Sequence, residues 1–179
     1  MSNISSAYGK VRIESSSIES LATLLTLQAF NNAKEFEYQT CLFIGNEPID
    51  IYKTKVTDEN DKAFYLYQYL LKKLKGNKLT FDFSGNGRWN FCWNIQRFFS
   101  CITLDNFSSK PSFLKYLEDI AKEETYKAVF EGLDTEEGIQ FLSKFKTEVS
   151  YCHNNIKIKD FYYKDIDYNY ENLKKYGFV

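Results

Sequence analysis

The chain has almost no net charge and very few arginines. Its 23 basic residues are balanced by 24 acidic ones, which gives a net charge of -1 at pH 7, and only three of the basic residues are arginine, Arg12, Arg88 and Arg97. A balanced charge provides no overall attraction to nucleic acid or to an anionic membrane surface. It also excludes an acidic mimic of DNA. Any electrostatic contact with a partner must therefore be local.

Motifs for metal binding and nucleotide binding are absent from the sequence. The four cysteines contain no C-x-x-C pair, and His153 is the single histidine. Structural zinc sites need four such ligands at short spacings. Neither the dinucleotide-binding nor the phosphate-binding glycine motif is matched. We therefore predict no metal, no cofactor and no catalytic residue. Cys152 and His153 are adjacent, so on a strand they would point to opposite faces.

The apolar runs are too short to cross a bilayer, which excludes a membrane-spanning helix. The first ten residues, MSNISSAYGK, contain no apolar stretch of the kind found in signal peptides. We expect a cytoplasmic protein without membrane contact, whose cysteines are reduced.

Aromatic residues are abundant, at 18% of the 179 residues, with 14 Tyr and 16 Phe. Disordered chains lack such residues, and this length suffices for one core. We therefore predict a single domain over residues 1–179.

The first 84 residues predict the order β-α-β-β-α-β. Residues 8–14, 35–44, 49–56 and 78–84 alternate as strands do, and two apolar-periodic segments between them predict helices. The strands 35–44 and 49–56 are predicted to form a hairpin around Gly45 and Pro48. This order is that of a ferredoxin-like core within an α+β fold.

The second half predicts further strands and two C-terminal helices. Residues 85–89, GNGRW, resemble a tight glycine turn, and the segment up to residue 104 is compatible with a strand or a short helix. A helix is predicted after Pro111, a hairpin from strands at 125–134 and 139–151, a strand at 156–163, and a last helix near Asp167.

The segment 72–99 combines basic and aromatic residues around a single acid, Asp82. Cations that contact phosphates and flat rings that stack on bases are what single-stranded nucleic acid requires. The alternative is structural, because lysines at a helix end complement its dipole and tryptophans usually belong to the core. The candidate binding residues are Lys72, Lys73, Arg88, Trp89, Trp93 and Arg97.

A resemblance to a known family rests on a few residues in order along the chain. The β-α-β-β-α-β opening, the segment Gly87-Arg88-Trp89, the later pairs Glu137-Gly138 and Asn172-Leu173, and the Tyr-rich tail resemble the YubB-like ferredoxin-fold proteins of phages and plasmids. The resemblance implies a mobile-element setting. Lys, Asn, Ile, Tyr and Phe are favoured together by AT-rich codons, which indicates a low-GC genome.

Three functions are compatible with these observations. The leading hypothesis is a non-enzymatic binding protein of a phage or mobile element, acting on a host protein or nucleoprotein complex as an anti-CRISPR-type inhibitor does. Its expected contact residues are Trp89, Trp93, Arg88 and Arg97, because Trp and Arg dominate the energetic centres of protein interfaces. The second is a nucleic-acid-binding protein that uses residues 72–97. The third is an enzyme without a recognisable motif. The oligomeric state stays open.

Overall fold

The computed structural model describes residues 4–33, 38–53, 55–103, 111–138 and 140–179, and it is a mixed α+β fold with seven strands and five helices. The strands are β1 (Ile4–Glu14), β2 (Tyr38–Ile44), β3 (Glu47–Pro48), β4 (Lys78–Arg88), β5 (Thr125–Glu136), β6 (Phe141–Cys152) and β7 (Asn155–Ile166). The helices are α1 (Ile18–Asn32), α2 (Glu59–Lys73), α3 (Ser100–Thr103), α4 (Ser112–Glu123) and α5 (Tyr170–Lys175). Two 3-10 helices span Ile51–Lys53 and Cys92–Phe99.

All seven strands form one antiparallel sheet in the order β3-β2-β4-β1-β5-β6-β7. Because β1 and β2 both pair antiparallel with β4, the unit β1-α1-β2 is split by β4. In the same way, β4 and β5 both pair antiparallel with β1, so β1 lies between them. The centre of the sheet therefore contains two interleaved split β-α-β units, assembled from residues 4–136.

The ferredoxin-like core predicted for residues 8–84 is not confirmed. The predicted third strand, 49–56, contains the 3-10 helix Ile51–Lys53 instead, and the hairpin partner of β2 is the two-residue β3. Asp50 Oδ1 accepts a hydrogen bond from Tyr52 N at 2.9 Å, a local turn that bends the chain away from an extended path. Residues 35–37 of the second predicted strand lie outside the described residues.

Helix α1 packs on one face of the sheet, and α2 and α4 pack against α1 and against each other. Strand alternation directs Val11, Ile13, Phe81 and Phe83 into this layer, where all four are buried. The start of α1 is capped by Ser17, whose hydroxyl accepts from Ser20 N at 3.0 Å. Burial of these large side chains against α1 forms the main core.

The glycine segment 85–89 is not the predicted turn, because β4 continues through Arg88. Gly85 and Gly87 are buried on the helical face of the sheet, directly beneath Phe91. A side chain on Gly85 would overlap the Phe91 ring, and a Cβ on Gly87 would lie 2.6 Å from Phe91 Cα. These glycines therefore permit close packing inside a strand rather than chain reversal.

The remaining elements agree with the sequence pattern. Residues 92–103 are helical, which decides between the two structures that the sequence allowed, and β5, β6, β7 and α5 occupy the predicted positions. At the end of α5, Gly177 has φ +78°, as a C-terminal glycine cap requires. Within the described part of the chain, every helix is too short or too polar to cross a membrane.

Candidate functional site

The structure separates the basic residues that the sequence groups together. Lys72 and Lys73 are exposed in the last turn of α2, before β4 begins, whereas Arg88 ends β4. At a rise of roughly 3.3 Å per residue, the two ends of this strand lie about 33 Å apart. The six candidate residues therefore do not line one continuous groove.

Both tryptophans are exposed, Trp89 to 48% and Trp93 to 70%. The core interpretation of these two side chains is therefore wrong. Trp89 follows β4 with φ +67°, a left-handed backbone conformation that bulky residues rarely adopt. Trp93 lies in the 3-10 helix Cys92–Phe99, whose Ile95 and Phe99 are buried. Arg97 is half-buried on the same helix.

Hydrogen bonds from Asn90 and Asn94 hold the backbone between the tryptophans. The buried Asn90 donates from Nδ2 to Tyr163 Oη at 2.6 Å and accepts at Oδ1 from Trp93 N at 3.2 Å. Asn94 Nδ2 lies 2.8 Å from both Arg88 O and Asn90 O. The unusual conformation at Trp89 is thus fixed by its surroundings, as strained backbone must be.

Asp134 of β5 holds the backbone between the two tryptophans through hydrogen bonds. This fully buried carboxylate accepts at Oδ2 from Phe91 N at 2.8 Å and from Cys92 N at 3.4 Å. Among the described residues, its Oδ1 has no hydrogen-bond partner. Burial raises the pKa of Asp134 to about 6, although nearby hydrogen-bond donors lower it. One of these donors is the Ser5 hydroxyl, whose hydrogen bond in this structure goes to Gly87 O at 3.3 Å.

Two carboxylates of β7 lie beside this segment. Ser143 Oγ is 2.8 Å from Tyr163 Oη and 2.9 Å from Asp165 Oδ1. Thr147 donates to Asp160 Oδ1 at 2.9 Å and contacts Cys92 Sγ at 3.3 Å. We call Trp89, Trp93, Tyr163, Asp160 and Asp165 the tryptophan surface. It combines exposed rings with negative charge.

The face of the sheet opposite the helices carries lysines that are paired with acids. Lys10 is 3.2 Å from Asp82, Lys78 is 2.9 Å from Glu14, and Lys146 is 3.2 Å from Glu131. Lys78 lowers the pKa of Glu14 through its hydrogen bond and charge. Exposed pairs of this kind contribute little stability, but they offset positive charge on this face. The open face therefore does not present an uncompensated basic surface at these lysines.

The structure places Cys92 in the core and the histidine in an exposed turn. Burial raises the pKa of Cys92 to about 11, so this thiol is protonated at neutral pH. His153 is exposed in the turn after β6, with φ +46°. In the described ranges, no three His, Cys, Asp or Glu side chains gather where they could hold a metal ion.

Sequence reasoning missed Asp134, Asn90 and Tyr163. Only Asp134 could have been found from the sequence pattern. It continues the alternation of β5, in which the earlier residues Tyr126, Ala128 and Phe130 face the core. Asn90 and Tyr163 are 73 residues apart and have no local pattern that pairs them.

Comparison with protein-family models, curated proteins and solved structures found no match to this chain. The resemblance to YubB-like proteins therefore stays a prediction.

Proposed function

We propose that this chain is a non-enzymatic binding protein that contacts a partner protein through the tryptophan surface. The observation that carries the proposal is the 70% exposure of Trp93 on a backbone held by buried hydrogen bonds. An exposed indole contributes little to folding, and a backbone that is already held in place loses little entropy on binding. Tryptophan is also the residue type most enriched at the energetic centres of protein interfaces.

The two carboxylates beside the indoles favour a protein over a nucleic acid as the partner, and the exposed Arg88 before Trp89 is the one opposing charge in the segment 88–93. Asp160 and Asp165 would repel a phosphate backbone. They would attract lysine or arginine side chains, and complementary charges of this kind increase the rate of association and the specificity. The partner surface that fits is an apolar pocket for Trp93 with basic residues beside it.

The biological setting is part of the same proposal. A phage or mobile element of a low-GC bacterium, with a host defence or nucleic-acid-processing component as the target, is supported by composition and by the YubB-like resemblance. Such an inhibitor needs a binding surface and no chemistry of its own.

Photo-cross-linking in a low-GC bacterial host tests the proposal. A photoreactive phenylalanine analogue is placed at position 93 and, as a matched control, at position 170, because Tyr170 is 68% exposed on α5. We expect a discrete cross-linked host protein at position 93 only. That product should disappear when unlabelled wild-type chain competes, but persist when Trp93→Ala chain competes. Identical patterns at both positions would refute the assignment.

Direct nucleic-acid binding is the second candidate. The exposed lysines Lys72, Lys73 and Lys75 at the end of α2 favour it. They also complement the dipole of α2, which is a sufficient structural reason for their presence. The separation of these lysines from Arg88 limits such a site to the α2 end of the sheet.

A further inference from the structure

A groove of about 640 Å³ lies on the open face of the sheet, over β1, β4 and β2, and extends around the edge of β2 to the end of α1. Its volume is within the range of small-molecule sites. Its lining does not include Trp89, Trp93 or Tyr163. The groove is therefore separate from the tryptophan surface, and an inference about it does not rest on the proposed function.

The floor of the groove consists of two rows of side chains that cross three strands. In the first row, Asn86 of β4 stands between Ser6 of β1 and Gln39 of β2. In the second row, Ser84 stands between Tyr8 and Cys41. Opposed residues on one face have Cβ atoms about 5 Å apart, so hydroxyl and amide groups are closely spaced on a rigid base.

Aromatic rings flank this polar floor. Tyr8 and Phe178 pack at 5.0 Å between ring centroids on one side, and Tyr52 lines the groove as well. The Phe178 wall is held because its N–H donates to Leu173 O at 2.9 Å and because Gly177 turns the chain. Flat apolar faces beside hydroxyl and amide groups match a ring that has both C–H and O–H edges.

The described lining residues favour an uncharged ligand. Asp50 is the single charged residue among them, and its Oδ1 already accepts from Tyr52 N. No lysine, arginine or histidine of the described lining is available to pair with a phosphate or carboxylate. Lys62 Nζ lies 5.8 Å from the Tyr52 ring centroid, so a cationic ligand would meet positive charge there.

We propose that this groove binds an uncharged, hydroxyl-rich ring, namely a sugar, either free or as the ribose of a nucleoside. Ser6 Oγ lies 3.5 Å from Asn86 Oδ1, and Gln39 Nε2 donates to Asn32 O at 3.2 Å, so the row Ser6, Asn86 and Gln39 is held in place while its amide and hydroxyl groups meet adjacent hydroxyl groups of the ligand. The rings of Tyr8 and Phe178 contact the C–H face. The Cys41 thiol would lie beneath the ligand, so its rate of alkylation reports on binding.

The test uses the full chain in a Cys152→Ser background, because Cys152 is the other thiol with exposure among the four. The probes are glucose, N-acetylglucosamine, ribose, adenosine and glucose 6-phosphate. We expect at least one uncharged probe to shift the backbone amide NMR signals of Ser84 and Asn86 and to slow alkylation of Cys41 severalfold. A comparison of the affinities for ribose and adenosine shows whether the groove binds the free sugar or the nucleoside.

Variants distinguish the site from nonspecific contact. Asn86→Leu removes the central polar group of the first row and should weaken binding at least tenfold. Thr80→Val, on the same strand and face but outside the groove, should leave affinity unchanged. The proposal is overturned if no uncharged probe shifts these signals at 20 mM, if both variants bind alike, or if glucose 6-phosphate binds tenfold more tightly than glucose.

Discussion

Asp134 Oδ2 accepts a hydrogen bond from Phe91 N at 2.8 Å, and this contact ties the centre of the sheet to the segment that carries Trp93. Phe91 is itself fully buried, with its ring 5.2 Å from Tyr38 and 5.5 Å from Phe83. The exposed indole of Trp93 is therefore attached two residues after a fully buried and hydrogen-bonded position.

Asp134→Asn should change how stability depends on pH. The folded-state pKa of about 6 is above the ordinary value of 3.8, so folding favours the protonated form. The free energy of unfolding of the wild type should therefore decrease as pH rises from 4 through 6. The variant lacks this loss, so its stability relative to wild type should increase by about 2 to 3 kcal/mol between pH 4 and pH 7. Urea denaturation at each pH measures it.

Glu131→Gln is the matched control for this pH experiment. The contribution of Glu131 to the free energy of unfolding changes with pH in the opposite direction to that of Asp134. Hydrogen bonding by Tyr162 and Lys146 lowers the pKa of Glu131. Its contribution to stability is present above the ordinary pKa and is lost as pH falls. A difference between Asp134→Asn and wild type that stays constant from pH 4 to pH 7 would contradict the assignment of the buried carboxylate.

Trp93→Ala should leave stability within about 0.5 kcal/mol of wild type, because the side chain is exposed. Phe91→Ala, two residues earlier, should cost about 3 to 5 kcal/mol, because its ring is at the centre of the core. Thermal and chemical denaturation of the two variants provide the comparison. Equal destabilisation would mean that Trp93 is a folding residue rather than a binding one.

Gly85→Ala should destabilise the protein by about 1 to 3 kcal/mol, as overpacking of a core does. The added methyl group would overlap the Phe91 ring and lie 2.8 Å from Gln39 O. Gly76→Ala is the control, because a Cβ there meets no atom within 4 Å. If both variants unfold at the same denaturant concentration, Gly85 belongs to a turn, as the sequence pattern suggested.

The triple variant Lys72→Ala, Lys73→Ala, Lys75→Ala separates the protein-binding and nucleic-acid-binding hypotheses, because all three lysines are exposed at the end of α2, away from the tryptophan surface. We expect it to retain normal affinity for the cross-linked protein partner, with little dependence on salt. Fluorescence polarisation with a labelled single-stranded oligonucleotide provides the complementary assay. Wild-type affinity for the oligonucleotide that falls steeply between 50 and 200 mM salt, and that is lost in the triple variant, would support the second candidate instead.

Local patterns in the sequence predicted most helices and strands. The outward alternation of β1, the apolar periodicity of α1 and the glycine after α5 are encoded within a few residues. Two predictions failed where neighbours in space decide the structure. GNGR matches a turn locally, but the Phe91 ring above Gly85 and Gly87 explains the glycines within β4. The sequence IDIYKTKV matches a strand, but Asp50 turns the chain.

Only the two tryptophans of the candidate site were predicted from the sequence. Trp89 and Trp93 were selected because of residue type and spacing, and both are on the surface. The residues that hold them could not be selected in this way, because Asp134 is 43 residues from Phe91 along the chain. Contacts of this length depend on strand order, and the strand order was not predictable from local periodicity.

The affinity of the purified partner for three versions of the chain tests the central claim most directly. Isothermal titration of wild type, Trp93→Ala and Tyr170→Ala compares two side chains of nearly equal exposure, 70% and 68%. Loss of a central interface tryptophan costs about 2 to 4 kcal/mol, so Trp93→Ala should bind roughly 30- to 1000-fold more weakly. Tyr170→Ala should bind within about threefold of wild type, a difference of less than 1 kcal/mol. Equal affinities for Trp93→Ala and wild type would contradict the account.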